Sequence, residues 1–376
     1  MENKNKLLEV GLVFFKLGCF AFGGPAAHIA MMEAEIIAKR KWMTHEHFLD
    51  LIGATNLIPG PNSTEMTMHC GHERAGRAGL FVAGIAFIFP AVFITGLIAW
   101  VYTTYGHLPK VEAFFFGIKP AVLVIILGAV IKLGKKALKN WELGVLGTIV
   151  LVGSLFGFNE ITLLLAAGFL GAIYFSLKKN EGANIKNFIP ILAVKLPSIA
   201  APLITVSKTF FIFLKVGAVL YGGGYVLFAY LDAELVANNY LTRQELIDAI
   251  AIGQFTPGPV LSTATFIGYQ LTGFWGAIAA TAGIFLPSFI FTLILNPFVS
   301  KIRKSPLLSN FLDSVNIAAV AVIGGVMFEM GRETLVNWQA FVLLAISFGL
   351  TFGIKKLNPI WVIITGSILG YLLLLV

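Results

Sequence analysis

The sequence predicts an all-α polytopic membrane protein made of two homologous halves in inverted topology. Three observations carry this reading. The 376 residues are 57% hydrophobic and only 12% charged, with a mean hydropathy of +0.86, a balance foreign to soluble globular chains of this size. The apolar runs are long and lack the period-two alternation of a membrane barrel. And a stretch centred on Pro-Gly-Pro occurs twice, as LIPGPNSTE from Leu57 to Glu65 and as FTPGPVLST from Phe255 to Thr263.

The repeat extends well beyond these stretches. FFKLGCFAFGGPAAHIAMMEAEII from Phe14 aligns with FLKVGAVLYGGGYVLFAYLDAELV from Phe213. Lys16 falls on Lys215, Gly18 on Gly217, and Gly23 and Gly24 on Gly222 and Gly223. After one residue is lost, Trp42 pairs with Tyr240, Asp50 with Asp248, Asn56 with Gln254, and Pro59, Gly60 and Pro61 with Pro257, Gly258 and Pro259. After a second loss, Gly71, Gly76, Gly79 and Pro90 fall on Gly268, Gly273, Gly276 and Pro287. The chain divides into an N-terminal repeat, 1–177, a cytoplasmic linker, 178–208, and a C-terminal inverted repeat, 209–376.

In chain order, a first apolar segment from Leu7 to Phe22 ends at a glycine cluster, and an amphipathic stretch follows from His28 to Ala38. Two short helices then flank the Pro-Gly-Pro. The apolar part of the first, Phe48 to Ile58, is well short of the roughly 20 residues a span needs. The second, Asn62 to Arg77, is too polar to face lipid. The pair reads as a re-entrant helical hairpin broken at Pro-Gly-Pro and buried in protein. Four long apolar segments complete the half: Leu80 to Tyr102, Val111 to Ile131, Trp141 to Phe158 and Ile161 to Leu177. The second half matches them with Trp275 to Phe298, Leu312 to Met330, Trp338 to Gly353 and Pro359 to Leu375. Each half is expected to cross about five times, and an odd count inverts the second half. Loop charges agree. Lys39, Arg40 and Lys41 face uncharged Asn238 and Asn239, and the group Lys132, Lys135, Lys136 and Lys139 faces a loop with Arg332 alone. Conversely, Lys301, Arg303 and Lys304 face a loop with one lysine, as positive-inside predicts for antiparallel repeats. The net charge of +8 reads as this bias and not as a nucleic-acid surface. Lys4 and Lys6 fall on the wrong side in this scheme, which leaves the side of the N-terminus open.

Proline and glycine stop the helix at each tip. A new helix then starts with small polar residues: Asn62, Ser63 and Thr64 in the first half, Ser262 and Thr263 in the second. Free N–H groups and the positive dipole end make such a start an anion site. Asn56, Gln254 and Thr256 border the tips and join Pro59, Gly60, Pro61, Pro257, Gly258 and Pro259 as candidate substrate contacts. Lys16 and Lys215, one per half, cost about 2.5–3.5 kcal/mol each if held mid-membrane. They either clamp a divalent anion or snorkel to an interface. Gly23, Gly24, Gly222 and Gly223 either admit a ligand to the backbone or let helices pack closely. Glu65 is a candidate for carrying a coupling proton, but its ordinary reading is an ion pair with a nearby cation. His28 is unmatched in the second half, where Phe228 or its neighbours fall, and reads as a hydrogen-bonded structural residue before a proton carrier. His45, His47, His69 and His72 do not form a metal set, Cys19 and Cys70 read as reduced packing residues, and no catalytic motif is present. No metal or cofactor is expected. MENKNKLLEV does not read as a secretory signal.

With FGGPAAH, RKW, NLIPGPNSTE and HERAGRAG in the first half, and YGGG, AIGQFTPGP and the run to Pro287 in the second, the sequence resembles the chromate ion transporter family in its long, two-domain form. The resemblance covers nearly the whole chain. It implies a secondary transporter in the cell membrane that exports chromate and confers chromate resistance, with sulfate, isosteric with chromate, as a related anion. A homodimer is left open. The alternatives are a passive oxyanion channel, a carrier of another tetrahedral oxyanion such as sulfate or molybdate, and a membrane enzyme, for which no catalytic set is visible.

Overall fold

The computed structural model describes residues 2–21, 25–55, 59–105, 109–178, 204–221, 226–295, 306–354 and 357–374. Gly23, Gly24, Asn56, Gly222 and Gly223, and most of the linker, lie outside them. The described residues form helices and connecting turns, with no strand among them. The first half holds α1 (Glu2–Phe20), α2 (Pro25–Met32) continuing as a π-helical turn (Glu33–Lys39), α3 (His45–Thr55), α4 (Asn62–Tyr105), α5 (Pro109–Ala137), α6 (Trp141–Leu155) and α7 (Glu160–Lys178). The second half repeats the order: α8 (Val206–Val219), α9 (Val226–Leu231) with its π turn (Asp232–Val236), α10 (Arg243–Phe255), α11 (Thr263–Leu295), α12 (Pro306–Thr334), α13 (Trp338–Gly353) and α14 (Pro359–Leu373).

The helix starts follow local chemistry. Asn140 accepts from Leu143 N at α6, and Thr205 from Lys208 N at α8. Thr242 and Glu245 form a reciprocal capping box at α10, satisfying backbone donors that a helix start leaves unpaired. Asn358 caps α14, with Pro359 in its first turn, where proline costs no hydrogen bond.

Both α4 and α11 are broken. Ala75 and Gly76 leave the helical region, Gly76 at φ +63, and Thr272 and Gly273 do the same, Gly273 at φ +68. The chain reverses at each break. Gly71 lies against Gly79 and Ala83, and Gly268 against Gly276 and Ala280. In a straight helix residues eight apart would be about 12 Å distant. Thr265 Oγ1 and Thr281 Oγ1, 2.8 Å apart, close the second turn from the far side. These paired glycines are the matched positions of the sequence repeat, and their missing side chains are what lets the two arms touch.

The start of the chain also doubles back. Arg40 reaches Glu9 at 2.7 Å, and Arg74 reaches the other oxygen of the same carboxylate at 2.7 Å. Both guanidinium groups lie over Trp42, at 6.0 and 5.5 Å from its centroid. The N-terminal end of α1, the basic 39–41 turn and the Gly76 break thus lie together. In the second half Lys208 meets Tyr240, the counterparts of Glu9 and Trp42. The first apolar segment and the stretch that follows it therefore bring the chain back to the end it started from, so the pair does not add an odd crossing. That leaves four long apolar segments per half, not about five, so the parity argument for inversion no longer holds.

Helix directions are fixed by named contacts. Gly147 on α6 packs on Ile317, and Ser154 on Gly325, so α6 and α12 run parallel. Lys139 pairs with Asp313 at one end of α12, while Arg243 pairs with Glu329 and Glu333 at the other, sixteen residues or about 24 Å further along. Lys178 pairs with Glu142 at the Lys139 end. Tyr371 stacks on Phe114, and Gly366 lies between Gly117 and Ala121, so α14 runs against α5. Each half thus lends its last helices to the other. The surface carries an apolar ladder, Phe81, Ile85, Phe89, Phe93 and Leu97 on α4. α4, α5, α7, α11 and α12 are long and apolar enough to cross a membrane. The protein is multi-pass.

Candidate functional site

The two Pro-Gly-Pro tips meet at the seam between the halves. Pro59, Gly60, Pro61, Pro257, Gly258 and Pro259 are all buried. Gly60 N–H donates to Leu220 O at 2.7 Å, and Gly258 N–H donates to Ala21 O at 2.9 Å. The two bonds are repeat equivalents: each tip is tied to the end of the first helix of the other half. Gly60 at φ +140 and Gly258 at φ +88 hold conformations that favour glycine. Thr64 N bonds to Pro61 O and Ser262 N to Pro259 O, so a helix starts directly from each second proline.

Hydroxyls surround these starts. Ser63, Thr64, Ser262 and Thr263 are buried, and Asn62 is half-buried. Thr263 Oγ1 donates to Val260 O at 2.7 Å, and Thr256 Oγ1 to Gly253 O at 3.3 Å. Thr95, on the long arm of α4, donates to Ser262 Oγ at 3.2 Å across the seam. Gln254 is half-buried, and its Nε2 has no partner. His28 joins the tips. Its Nε2–H donates to Ala21 O at 3.1 Å, the carbonyl that also takes Gly258 N–H, so Nδ1 accepts from Ser63 O–H at 3.1 Å. Its ring stands edge-on to Phe87 at 5.5 Å. Hydrogen-bonded on both nitrogens, His28 positions the seam.

Three expectations are corrected. Lys16 is exposed, and Lys215 is exposed and paired with Glu234 at 2.7 Å. Neither joins the buried tips: on α1 the residues that follow Lys16, Leu17 and Gly18, turn inward, so position 16 turns out. Glu65 has no ion pair among the described residues. It is 0% exposed, and neither carboxyl oxygen has a hydrogen-bond partner.

Sequence reasoning missed the hydroxyls supplied by the long arms, Thr95, Ser288 and Thr292. Ser288 follows Pro287, matched to Pro90, and Thr292 is the counterpart of Thr95, so the repeat itself carried the signal. It also missed Lys119, inside an apolar segment. Lys119 pairs with Asp248 of the other half at 3.5 Å, and Tyr102 O–H donates to the same carboxylate at 2.8 Å. This trio lines a cavity of about 470 Å³ with Gln244, Glu333 and Asn337, at the Arg243 end of α12.

A family profile described as chromate transporter matches residues 8–172 and again residues 207–371. The chain belongs to the chromate transporter family. The two matches to this family fall on the two structural halves. A probable chromate transport protein of Synechococcus elongatus is 29% identical over 97% of this chain and 95% of its own length. The chromate transport protein of Cupriavidus metallidurans is 28% identical over 97% and 92%, and that of Pseudomonas aeruginosa 28% over 96% and 90%. No solved structure matches. As a chromate transporter family member the chain is a membrane transporter and not an enzyme.

Proposed function

We propose that this protein is a secondary transporter that carries chromate out of the cytoplasm, with the dianion held at the seam between two inverted repeats. The observation that carries the reading is the reciprocal pair of bonds, Gly60 to Leu220 and Gly258 to Ala21. They put a helix N-terminus and its hydroxyls from each half at one seam, where a tetrahedral oxyanion finds donors from both sides. Separating the halves exposes the seam to one face at a time. Sulfate, of the same shape and charge, competes for the same donors.

Inversion is supported by the helix directions. On α5, Gly134 packs on Val320 of α12, the counterpart of α5, while Lys119, fifteen residues earlier, lines one cavity with Glu333 and Thr334 at the other end of α12. α5 and α12 are then antiparallel. With each Pro-Gly-Pro between a short helix and a returning arm, α3 with the first arm of α4 and α10 with the first arm of α11 are read as re-entrant hairpins. Lys39, Arg40, Lys41, Arg74, Arg77 and the Lys132–Lys139 group support a cytoplasmic Gly76 end. Lys4 and Lys6 then lie on that side too, because α1 and the 39–41 turn share an end. The linker leaves from this face, and the Asp248 cavity opens on the opposite one.

The test is chromate flux in proteoliposomes containing only this protein, under an imposed pH or potential gradient, with sulfate as competitor. Concentrative flux that sulfate inhibits is expected. Purely dissipative flux makes the protein a channel. Absence of chromate flux in a folded sample discards the substrate.

A further inference from the structure

The repeat makes the two tips comparable position by position, and they differ in one respect. At the second tip the two hydroxyls at the helix start are satisfied: Ser262 takes its hydrogen bond from Thr95, and Thr263 donates to Val260 O. Gly258 faces the methyl of Ala91. At the first tip the counterparts are Thr64, Thr292, Glu65 and Ser288. All four side chains are 0% exposed, and Thr64 Oγ1, Thr292 Oγ1, Ser288 Oγ and both Glu65 oxygens lack a hydrogen-bond partner. Glu65 Oε1 and Ser288 Oγ both border the space that a β-carbon on Gly60 would fill, so the carboxyl sits against the tip itself.

Among the described residues, the groups around Glu65 carry no positive charge. Ser288 faces it from α11, and Tyr221 approaches from the end of α8 with Tyr230 behind it. His28, from α2, stands across Ser63, engaged on both nitrogens, and His69 follows one turn along on the same helix. An ionised carboxylate here would be buried with no cation among the described residues and with the Ser288 hydroxyl as its one neighbouring donor, an unfavourable state for a bare charge. A metal ion would need a shell of oxygens at roughly 2.3–2.6 Å, and no cluster of three or more His, Cys, Asp or Glu side chains that could hold one occurs among the described residues. A proton needs no such shell.

We propose that Glu65 is the protonation site that couples transport to proton movement, and that only one of the two tips carries such a site. This rests on the transporter reading above. With the seam shut, Glu65 is neutral. When the halves part and water reaches the tip, the O–H bond breaks, the proton passes to water and the carboxylate is hydrated. Rebinding a proton restores the neutral form and lets the seam close. Neutrality also keeps a negative charge away from the incoming dianion.

The experiment compares wild type, Glu65→Gln and Ser288→Ala. In proteoliposomes, the ratio of chromate flux with a pH gradient to flux without one should exceed one in wild type and fall to one in Glu65→Gln. A Glu65→Gln ratio equal to the wild-type ratio overturns the proposal. Infrared spectra of the purified proteins provide the second readout. The carbonyl stretch of a protonated carboxyl, taken as wild type minus Glu65→Gln, should be present at neutral pH and shift in Ser288→Ala. Its absence overturns the proposal even if a variant carries no flux. Wild type without any chromate flux would refute the transporter reading, while the infrared band would still decide the state of Glu65.

Discussion

Replacing Gly71 with alanine separates two readings of α4 by the sign of the effect. In an unbroken helix Gly71 and Gly79 would lie about 12 Å apart, and alanine would stabilise by about 1 kcal/mol through helix propensity. With the chain reversed at Gly76, a β-carbon on Gly71 stands 3.0 Å from the Gly79 carbonyl carbon, with the carbonyl oxygen and the Ala83 methyl nearer still. Ordinary carbon contacts are about 3.5–4.0 Å. The obstacle is largely backbone and cannot rotate away, so the upper end of the overpacking range, about 3 kcal/mol, applies. Less the propensity gain, the net loss is about 2 kcal/mol, near thirtyfold in the folded-to-unfolded ratio. Gly268→Ala, its repeat equivalent against Gly276, should behave alike. Gly349→Ala is the control: nothing lies within 4 Å of the added carbon, so it should stabilise. The assay is reversible unfolding in mixed micelles of rising denaturing-detergent fraction, followed by tryptophan fluorescence. Gly71→Ala stabilising like Gly349→Ala would refute the reversal.

Lys119→Met strips Asp248 of its cation and should cost about 3 kcal/mol, the low end for breaking a buried pair. Adding Asp248→Leu should recover most of that in the same unfolding assay. Tyr102→Phe removes a donor to the same carboxylate and should cost about 1.5 kcal/mol. At the Gly76 end, burial acts to raise the Glu35 carboxyl, but the Arg40 hydrogen bond and Lys39 outweigh it and hold it below its ordinary 4.5. A lowered acid stabilises fully above its unfolded value and loses that stabilisation as pH falls through the folded one. Melting temperature should therefore drop below pH 4.5 in wild type and drop less in Glu35→Gln.

The sequence revealed whatever the repeat made visible twice. Gly18 and Gly217 are matched because each lets a first helix approach a long arm, Gly18 within 2.5 Å of Phe87 O for an added β-carbon. Gly71 and Gly79 are matched because the arms touch there, though the reversal at Gly76 was not readable from a residue type that also ends or weakens helices. Side-chain direction was hidden. One helical step of 100° separates Lys16, which faces out, from Leu17, which faces in, and an isolated apolar stretch does not say which step is which. Partners from distant chain were hidden too. Nothing near Asp248 announces Lys119, and nothing near Glu65 announces Ser288. The return of the chain at Arg40 was masked because a basic turn marks a membrane face equally well after a crossing or after a hairpin.

The bonds from Gly60 to Leu220 and from Gly258 to Ala21 have a consequence for how the polypeptide can be divided. Each half offers one donor at its tip and one acceptor at the end of its first helix, and each tip donor is met by the other half. Severed between Lys178 and Thr205, the chain would yield two fragments whose unmet needs are mutually complementary, like a two-part clasp. Produced together, the fragments should reassemble into a transporting unit. Continuity of the polypeptide then ensures equal supply of the two parts, while the fit between them is already written into each.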